Sequence, residues 1–374
     1  MIKVWDYVKE YDAMRKEILD AVDQVFKNGV LVFGPKLQEF EEKFSEYNQC
    51  KFGIGVGNCT DAITIALRAC NIGPGDEVIT TSNTAVPTVT AIVNAGASVK
   101  FVDINKYSLI DVSKISNAIN DKTKAIIPVH LYGQMCDMNT IMDIAKRNNL
   151  RVIEDCAQAH GATYFGKKAG SIGDVGCYSF YPTKIFGAYG DGGFITTNDE
   201  NLFDKMQRIR FLGMERKKMS SGHWNGKYYA VEHGTNSRLD EVHAAILLKK
   251  LPHLDQWINR RRQIAERYNR ELKDTSLELP EEHSDNKHAY YIYVVAHKNR
   301  DQIMKSLTEK NIHLNISYPW PIHIMDAYKH FVCSTCNCLK KTEDMAKKIF
   351  SLPMYPTLTD DEQGEVIKEL KKLI

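Results

Sequence analysis

Residues 52–57, Phe-Gly-Ile-Gly-Val-Gly, run almost directly into residues 60–70, TDAITIALRAC. A short apolar run ending on glycine, then apolar residues at helical spacing, predicts a strand followed by a helix. Working outward, the alternation repeats through EVITT (77–81), a helix through Ala91 to Asn94, SVKFVD (98–103), AIIPVH (125–130) and RVIED (151–155). Strand, helix, strand in repetition predicts an α/β fold, a mostly parallel sheet between helices. GCYSFY (176–181) and GFITT (193–197) extend the series around a glycine-rich loop, and residues 201–215 read as helix. Toward the start, Ala21, Val22 and Val25 share one helical face, and Phe40, Phe44 and Tyr47 another, with a turn at Gly34-Pro35 between them. Two amphipathic helices are thus expected to open a large domain spanning residues 1–245. Beyond it, NRRRQIAERYNREL (259–272), AYYIYVVA (289–296), EKNIHLNISYP (309–319) and a closing amphipathic helix predict a smaller α+β domain, residues 246–374.

The 374 residues are 43% hydrophobic and 26% charged, the composition of an ordinary globular protein rather than a disordered or fibrous one. Subtracting 47 acidic from 49 basic side chains leaves +2, which offers no general electrostatic pull toward nucleic acid or a membrane surface. The run of Arg260, Arg261 and Arg262 is read as a solvated helix face, not a DNA-reading one. Nine cysteines with no repeated spacing read as free thiols in a reducing compartment, the cytoplasm. The charged start, MIKVWDYVKEYDAMRKE, lacks the apolar core of a signal peptide, and no run reaches the roughly 18 to 20 apolar residues of a membrane span. His330, Cys333, Cys336 and Cys338 are ligand types for zinc, but all four fall in one short stretch with no distant pair to staple, so no metal is expected.

In parallel α/β sheets, ligands gather beyond the carboxyl ends of the strands. Four such positions stand out. Gly57-Asn58-Cys59-Thr60-Asp61 opens a helix whose free amides suit a phosphate, or is a simple capped turn. The neighbouring G-x-G-x-G lacks the dinucleotide spacing. Asp155, directly after RVI, is a carboxylate half buried at the sheet edge that needs a cationic partner; a protonated pyridine nitrogen is one such partner, a helix cap or salt bridge the blander use. His160 is read as a hydrogen-bonded core histidine. Lys184, in an apolar segment flanked by glycines that let backbone pass close to a ligand, suits covalent work by an amine whose pKa its surroundings lower. Finally, Arg238, at the start of a helix, can meet a phosphate or carboxylate.

These residues, with Phe33-Gly34-Pro35, EDCAQAHGA (154–162), YSFYPTK (178–184), GAYGDGG (187–193), NSRLDE (236–241) and SLPMYP (351–356), resemble the sugar-nucleotide aminotransferases of the DegT/StrS type. These belong to the aspartate-aminotransferase-like fold type I enzymes of pyridoxal 5′-phosphate (PLP). The resemblance implies Lys184 as the Schiff-base lysine, Asp155 as partner of the pyridine nitrogen and Gln158 beside the cofactor's 3-hydroxyl. It implies Asn58, Cys59, Thr60 and Ser179 around the phosphate and Ala85 against the ring, where relatives often carry a bulkier side chain; an aromatic residue or His160 would then cover that face. Asn236 or Arg238 would reach in from the second subunit of a homodimer with shared active sites.

An amino group would pass from L-glutamate, through pyridoxamine 5′-phosphate, to a nucleotide-linked keto-sugar. The stretches VHLYGQ (129–134) and Gln158-Ala-His-Gly161 are most similar to members that aminate C3 of dTDP-3-oxo-6-deoxyhexoses, giving products of the Fuc3N or Qui3N type. C4 amination of a dTDP-, UDP- or GDP-linked sugar is the alternative. Tyr181, Ser317, Tyr318 and His323 are the candidate sugar contacts, Ser317 standing where C3-specific relatives often have histidine. Lys184 argues against the related dehydratases, which lack that lysine, and the charge balance against a non-catalytic regulator.

Overall fold

The computed structural model describes the chain except residues 215–216, 219–223, 226–228 and 333–337, together with the side chains of 217–218 and 224–225. Seven strands form the central sheet: β1 Phe52–Val56, β2 Glu77–Thr81, β3 Ser98–Val102, β4 Thr123–Ile126, β5 Arg151–Asp155, β6 Val175–Ser179 and β7 Gly193–Thr197. Their order across the sheet is β1-β7-β6-β5-β4-β2-β3. Every pairing is parallel except the two that β7 makes, with β1 and with β6. Six strands therefore point one way, and Val56, Asp155 and Ser179 all end at the same edge.

The opening helices are α1, Val8–Asn28, and α2, Pro35–Tyr47. Gly34 caps α2 and Pro35 fills its first turn, where a missing N–H costs nothing. The buried carboxylate of Glu241 accepts from the amides of Gly34, Lys36 and Leu37, tying α2's free N–H groups to the helix Glu241–Lys250. Phe40 and Phe44 pack with Tyr178, Phe180, Phe186 and Phe194 against one face of the sheet. Helix α3, Cys59–Ala69, and helix α4, Val86–Asn94, bury their apolar stripes on the other.

A separate cluster gathers Tyr268 and Leu272 with Tyr293, Val295, Phe350, Leu352 and Leu370 from the C-terminal part of the chain. The chain trades segments between the two bodies. Ile2 joins the C-terminal cluster, its carbonyl accepting from His313, while Ile322 and Leu339 pack into the core of the large sheet. A contiguous division at residue 245 misses both exchanges. The expected AYYIYVVA strand is shorter, Tyr293–Ala296, because Tyr290 takes φ +48° and turns the chain.

The arginine run is not a solvated face. Arg261 is buried and donates to the carbonyls of Tyr290, Tyr291 and Met354; Arg260 donates to Leu358 O and Asp360, and Arg262 to His288 O and Glu282. These donors satisfy carbonyls that the turns at 288–291 and 354–358 leave outside regular strand and helix. Six cysteines, at 50, 59, 70, 136, 156 and 177, are free, whereas Cys338 is disulfide-bonded, so the reading of nine free thiols does not hold for it. Cys333 and Cys336 lie outside the described residues. Among the described residues no helix is long and apolar enough to cross a membrane.

Candidate active site

At the shared strand edge lies a cavity of about 300 Å³, lined by Asn58, Cys59, Thr60, Ala85, Asp155, Gln158, Ser179, Tyr181 and Lys184 among others. The topology puts them there. β1 ends at Gly57 and leads into α3, whose first turn is capped by Asn58 Oδ1 accepting from Asp61 N at 2.8 Å. Cys59 and Thr60 of that turn line the cavity together with Ser179 at the end of β6. β7 enters from the same edge. A Cβ on its first residue, Gly193, would stand 2.4 Å from the carbonyl carbon of Asn58, so only glycine lets the two segments meet. The other loop glycines likewise make room for protein. A Cβ at Gly187 would strike the carbonyls of Pro182 and Tyr181, and one at Gly192 would crowd Leu239 and Phe180.

Asp155 is 5% exposed, and among the described residues no cation pairs with it. Its Oδ2 accepts from Thr88 Oγ1 at 2.7 Å and its Oδ1 from Ala157 N at 3.1 Å. Thr88 is held in turn by Thr84, 2.9 Å away. Burial pushes the carboxyl pKa up, against the two hydrogen bonds and the charge of Lys184. An almost fully buried carboxylate with no ion-pair partner in contact is costly, and a protonated ring nitrogen is a partner that corrects it. Lys184 sits across the same cavity, half buried, its backbone turned by a hydrogen bond to Tyr181 O. A carboxylate for a ring nitrogen, an amine for a carbonyl and a helix N-terminus for a phosphate fit PLP.

Burial pushes Lys184 toward the neutral amine, but Tyr291, Tyr318 and Asp155 outweigh it and the net direction is upward. The expectation of a lowered pKa is therefore reversed in the protein alone, because Tyr291, Tyr318 and Asp155 around the amine favour the cation. Gln158 lines the cavity, yet its Oε1 accepts from Tyr132 N at 2.8 Å and its Nε2 donates to Tyr318 OH at 2.6 Å. Tyr318, at φ +65°, thus reaches the site through Gln158.

Other candidates lie elsewhere. His323 is buried away from the cavity, with Nδ1 2.7 Å from Ser82 Oγ and Nε2 3.1 Å from Glu343, fastening the 321–325 segment onto the large sheet. Ser317 is half buried outside the lining, beside the Asn315–Ser351 bridge. Asn236 and Arg238 are exposed, flanking Ser237, whose hydroxyl accepts from Gly57 N and donates to Asp61.

His160 does not reach the cavity either. It is buried among Phe44, Tyr178, Phe180 and Phe186, with neither ring nitrogen hydrogen-bonded, so it is a core histidine but not a hydrogen-bonded one. Burial, with a smaller push from Lys184, lowers its pKa to about 3. Below its ordinary value of 6.5 the unfolded chain takes a proton that the native state refuses until about pH 3, so stability falls across that window. His160→Phe should flatten this acid limb in denaturation curves measured between pH 7 and 4.

Glu154, next to Asp155, points to the opposite face. It accepts from Gly170, Ile172 and Gly173 amides and from His130 Nε2 at 2.8 Å, while His130 Nδ1 accepts from Cys136 N. Burial opposes its charge, but these donors win and its pKa lies below the ordinary value. The cluster His130, Glu154 and Cys156 thus spends its ligand atoms inside the protein and braces the strand that carries Asp155.

Thr84, Thr88 and Tyr291 were not singled out from the sequence. The two threonines carried one signal, their i, i+4 spacing beside Ala85, which caps α4. For Tyr291, remote in sequence from Lys184, there was none.

Known proteins are similar to this chain along nearly its whole length. A Micromonospora megalomicea subsp. nigra protein named dTDP-3-amino-3,4,6-trideoxy-alpha-D-glucose transaminase is 44% identical, covering 99% of this chain and 98% of its own. An Aneurinibacillus thermoaerophilus dTDP-3-amino-3,6-dideoxy-alpha-D-galactopyranose transaminase is 42% identical over 96% and 95%. The crystal structure of S. venezuelae DesV in complex with a ketimine intermediate superposes with a TM-score of 0.94 at 34% identity, covering 100% of this chain and 98% of that one. With residues 12–371 matched, the chain belongs to the DegT/DnrJ/EryC1/StrS aminotransferase family.

Proposed function

We propose that the protein transfers an amino group from L-glutamate to C3 of a dTDP-linked 3-oxo-6-deoxyhexose, yielding a dTDP-3-amino-3,6-dideoxyhexose. The observation that carries the sugar class is the 42–44% identity, over nearly full length, to two enzymes named for dTDP-3-amino sugars. With both named for C3, amination at C4 is not favoured.

The family cofactor, PLP, supplies when bound a carbonyl and an electron-accepting ring. Asp155, the buried carboxylate of the cavity, would pair with the ring nitrogen and keep it protonated. The amides opening α3, with Thr60 and Ser179, take the phosphate. Lys184 would hold the cofactor's carbonyl, and its free Nζ would take the proton from the donor's Cα and, in the second half-reaction, deliver a proton to the sugar carbon. Ala85 would leave space over the ring, and Tyr181, an exposed residue of the cavity lining, would meet the sugar.

Asn236 and Arg238, exposed beside the start of α3, suit a phosphate arriving with a second copy. Val30, Leu31 and Val32 lie exposed on the loop whose Leu31 carbonyl accepts from Glu241 N, an apolar surface adjoining this edge that a homodimer would cover. Light scattering on the purified protein checks the dimer. The protein is read as cytoplasmic, six of its thiols being free while Cys338 is disulfide-bonded.

The deciding experiment incubates the enzyme with L-glutamate and a panel of dTDP-, UDP- and GDP-linked 3-oxo and 4-oxo sugars, with mass spectrometry and NMR of the product. Amine at C3 of a dTDP sugar is expected; amine at C4 overturns the assignment. Thr88→Val, which removes one donor to a charged carboxylate at nearly constant shape, should weaken cofactor retention by roughly tenfold in a fluorescence titration.

A further inference from the structure

Tyr291 lies outside the set of residues lining the cavity, but its ring faces Lys184, with Nζ 4.7 Å from the ring centroid. Its hydroxyl shares a 3.1 Å hydrogen bond with Oγ1 of Thr183, the residue just before the lysine. From behind, the chain holds Tyr291 at both ends of its peptide unit. Its N–H donates to Tyr132 O at 2.9 Å, and its carbonyl accepts from Arg261 Nη1 at 3.0 Å. Tyr132 is the same residue whose amide orients Gln158. Arg261 is a buried cation that donates to three carbonyls, and burial pushes its pKa down to about 10. Spending a buried guanidinium on these turns sets the ring's position far more firmly than a loop tyrosine needs for packing alone.

We propose that Tyr291 is a positioning residue that docks the free ε-ammonium of Lys184 on its ring face whenever the lysine is not linked to the cofactor. The proposal rests on the assignment of Lys184 made above. Between half-reactions this amine must hold a proton and then give it up, inside a cavity where an uncompensated charge is costly. An aromatic face within about 6 Å attracts an ammonium, more strongly when both are withdrawn from water, yet offers no acceptor atom to fix it. The lysine is thereby held near the reacting atoms without being consumed in a salt bridge.

The other groups facing Lys184 are Tyr318, Asp155 and Cys59, with Tyr181 and Asp191 on the cavity wall and His160 behind it. Tyr318 is engaged by Gln158, and Asp155 by Thr88 and Ala157. What Tyr291 presents to the amine is its ring face, its hydroxyl being engaged with Thr183.

The test uses the full-length enzyme in its pyridoxamine 5′-phosphate form, where the lysine is free. The pH dependence of Lys184 acylation, read by isotope-coded peptide mapping, gives its pKa in wild type, Tyr291→Phe and a variant with 3,4,5-trifluorophenylalanine at position 291. The two replacements share shape and lack the hydroxyl, and fluorination removes electron density from the ring face. The Lys184 pKa is expected to stay near wild type in the Phe variant and to drop by about one unit on fluorination, roughly tenfold faster labelling at fixed pH below it. Coincident curves for the two replacements would overturn the docking role. Borohydride trapping of the pyridoxal form tests the assignment separately: an adduct on a lysine other than Lys184 defeats that assignment, whatever the labelling curves show.

Discussion

Lys184→Ala loses amino transfer by about four orders of magnitude, because one amine serves as covalent holder, base and acid, and positioned proton transfer alone is worth up to about 10⁴-fold. The variant should still bind PLP through the start of α3 and Asp155, since neither depends on the amine. Its product, followed by mass spectrometry under single-turnover conditions, should be undetectable where wild type converts fully. Unchanged turnover would show that another residue moves the proton. Folding should survive: Lys184 is only half buried and its main structural hydrogen bond is made by its backbone.

Asp155→Ala removes the only buried carboxylate lining the cavity. Breaking one side of a buried charge pair costs about 3–5 kcal/mol, so PLP affinity should fall by roughly 10²- to 10⁴-fold, and activity should fall even at saturating cofactor. Asp155→Asn keeps the size of the side chain and an acceptor for Thr88 while losing the charge, so it should bind PLP better than the alanine variant yet remain slow. If both variants bound and turned over like wild type, the ring-nitrogen role would be wrong. Fluorescence titration and steady-state rates at saturating cofactor separate the two effects.

What the sequence disclosed and what it hid divide along a physical line. Asp155 and Ser179 close their strands and the Gly57–Thr60 turn directly follows one, and parallel strands deliver their ends to one edge, so local pattern sufficed to bring them together. Lys184 follows by the same logic. Residues whose roles depend on long-range packing were not legible. His323 looked free to meet a sugar, but the 321–325 segment folds back onto Ser82. Arg261 sat in a basic run that resembled a solvated surface, and its burial is decided by carbonyls some 30 and 93 positions away. The electrostatics of Lys184 were inverted for the same reason, since Tyr291 and Tyr318 arrive from the far end of the chain and Tyr318 depends on a left-handed backbone angle that composition does not announce.

The exchange of chain between the two bodies bears on how this enzyme can be engineered. With Ile2 seated among C-terminal residues and Ile322 and Leu339 seated under the large sheet, neither half is a portable module. A clone ending at residue 245 would leave a greasy hollow beside Ser82 and forfeit the phenol wall opposite the lysine. Chimeras that swap sugar preference between relatives should therefore graft short loops around the rim rather than exchange whole C-terminal portions.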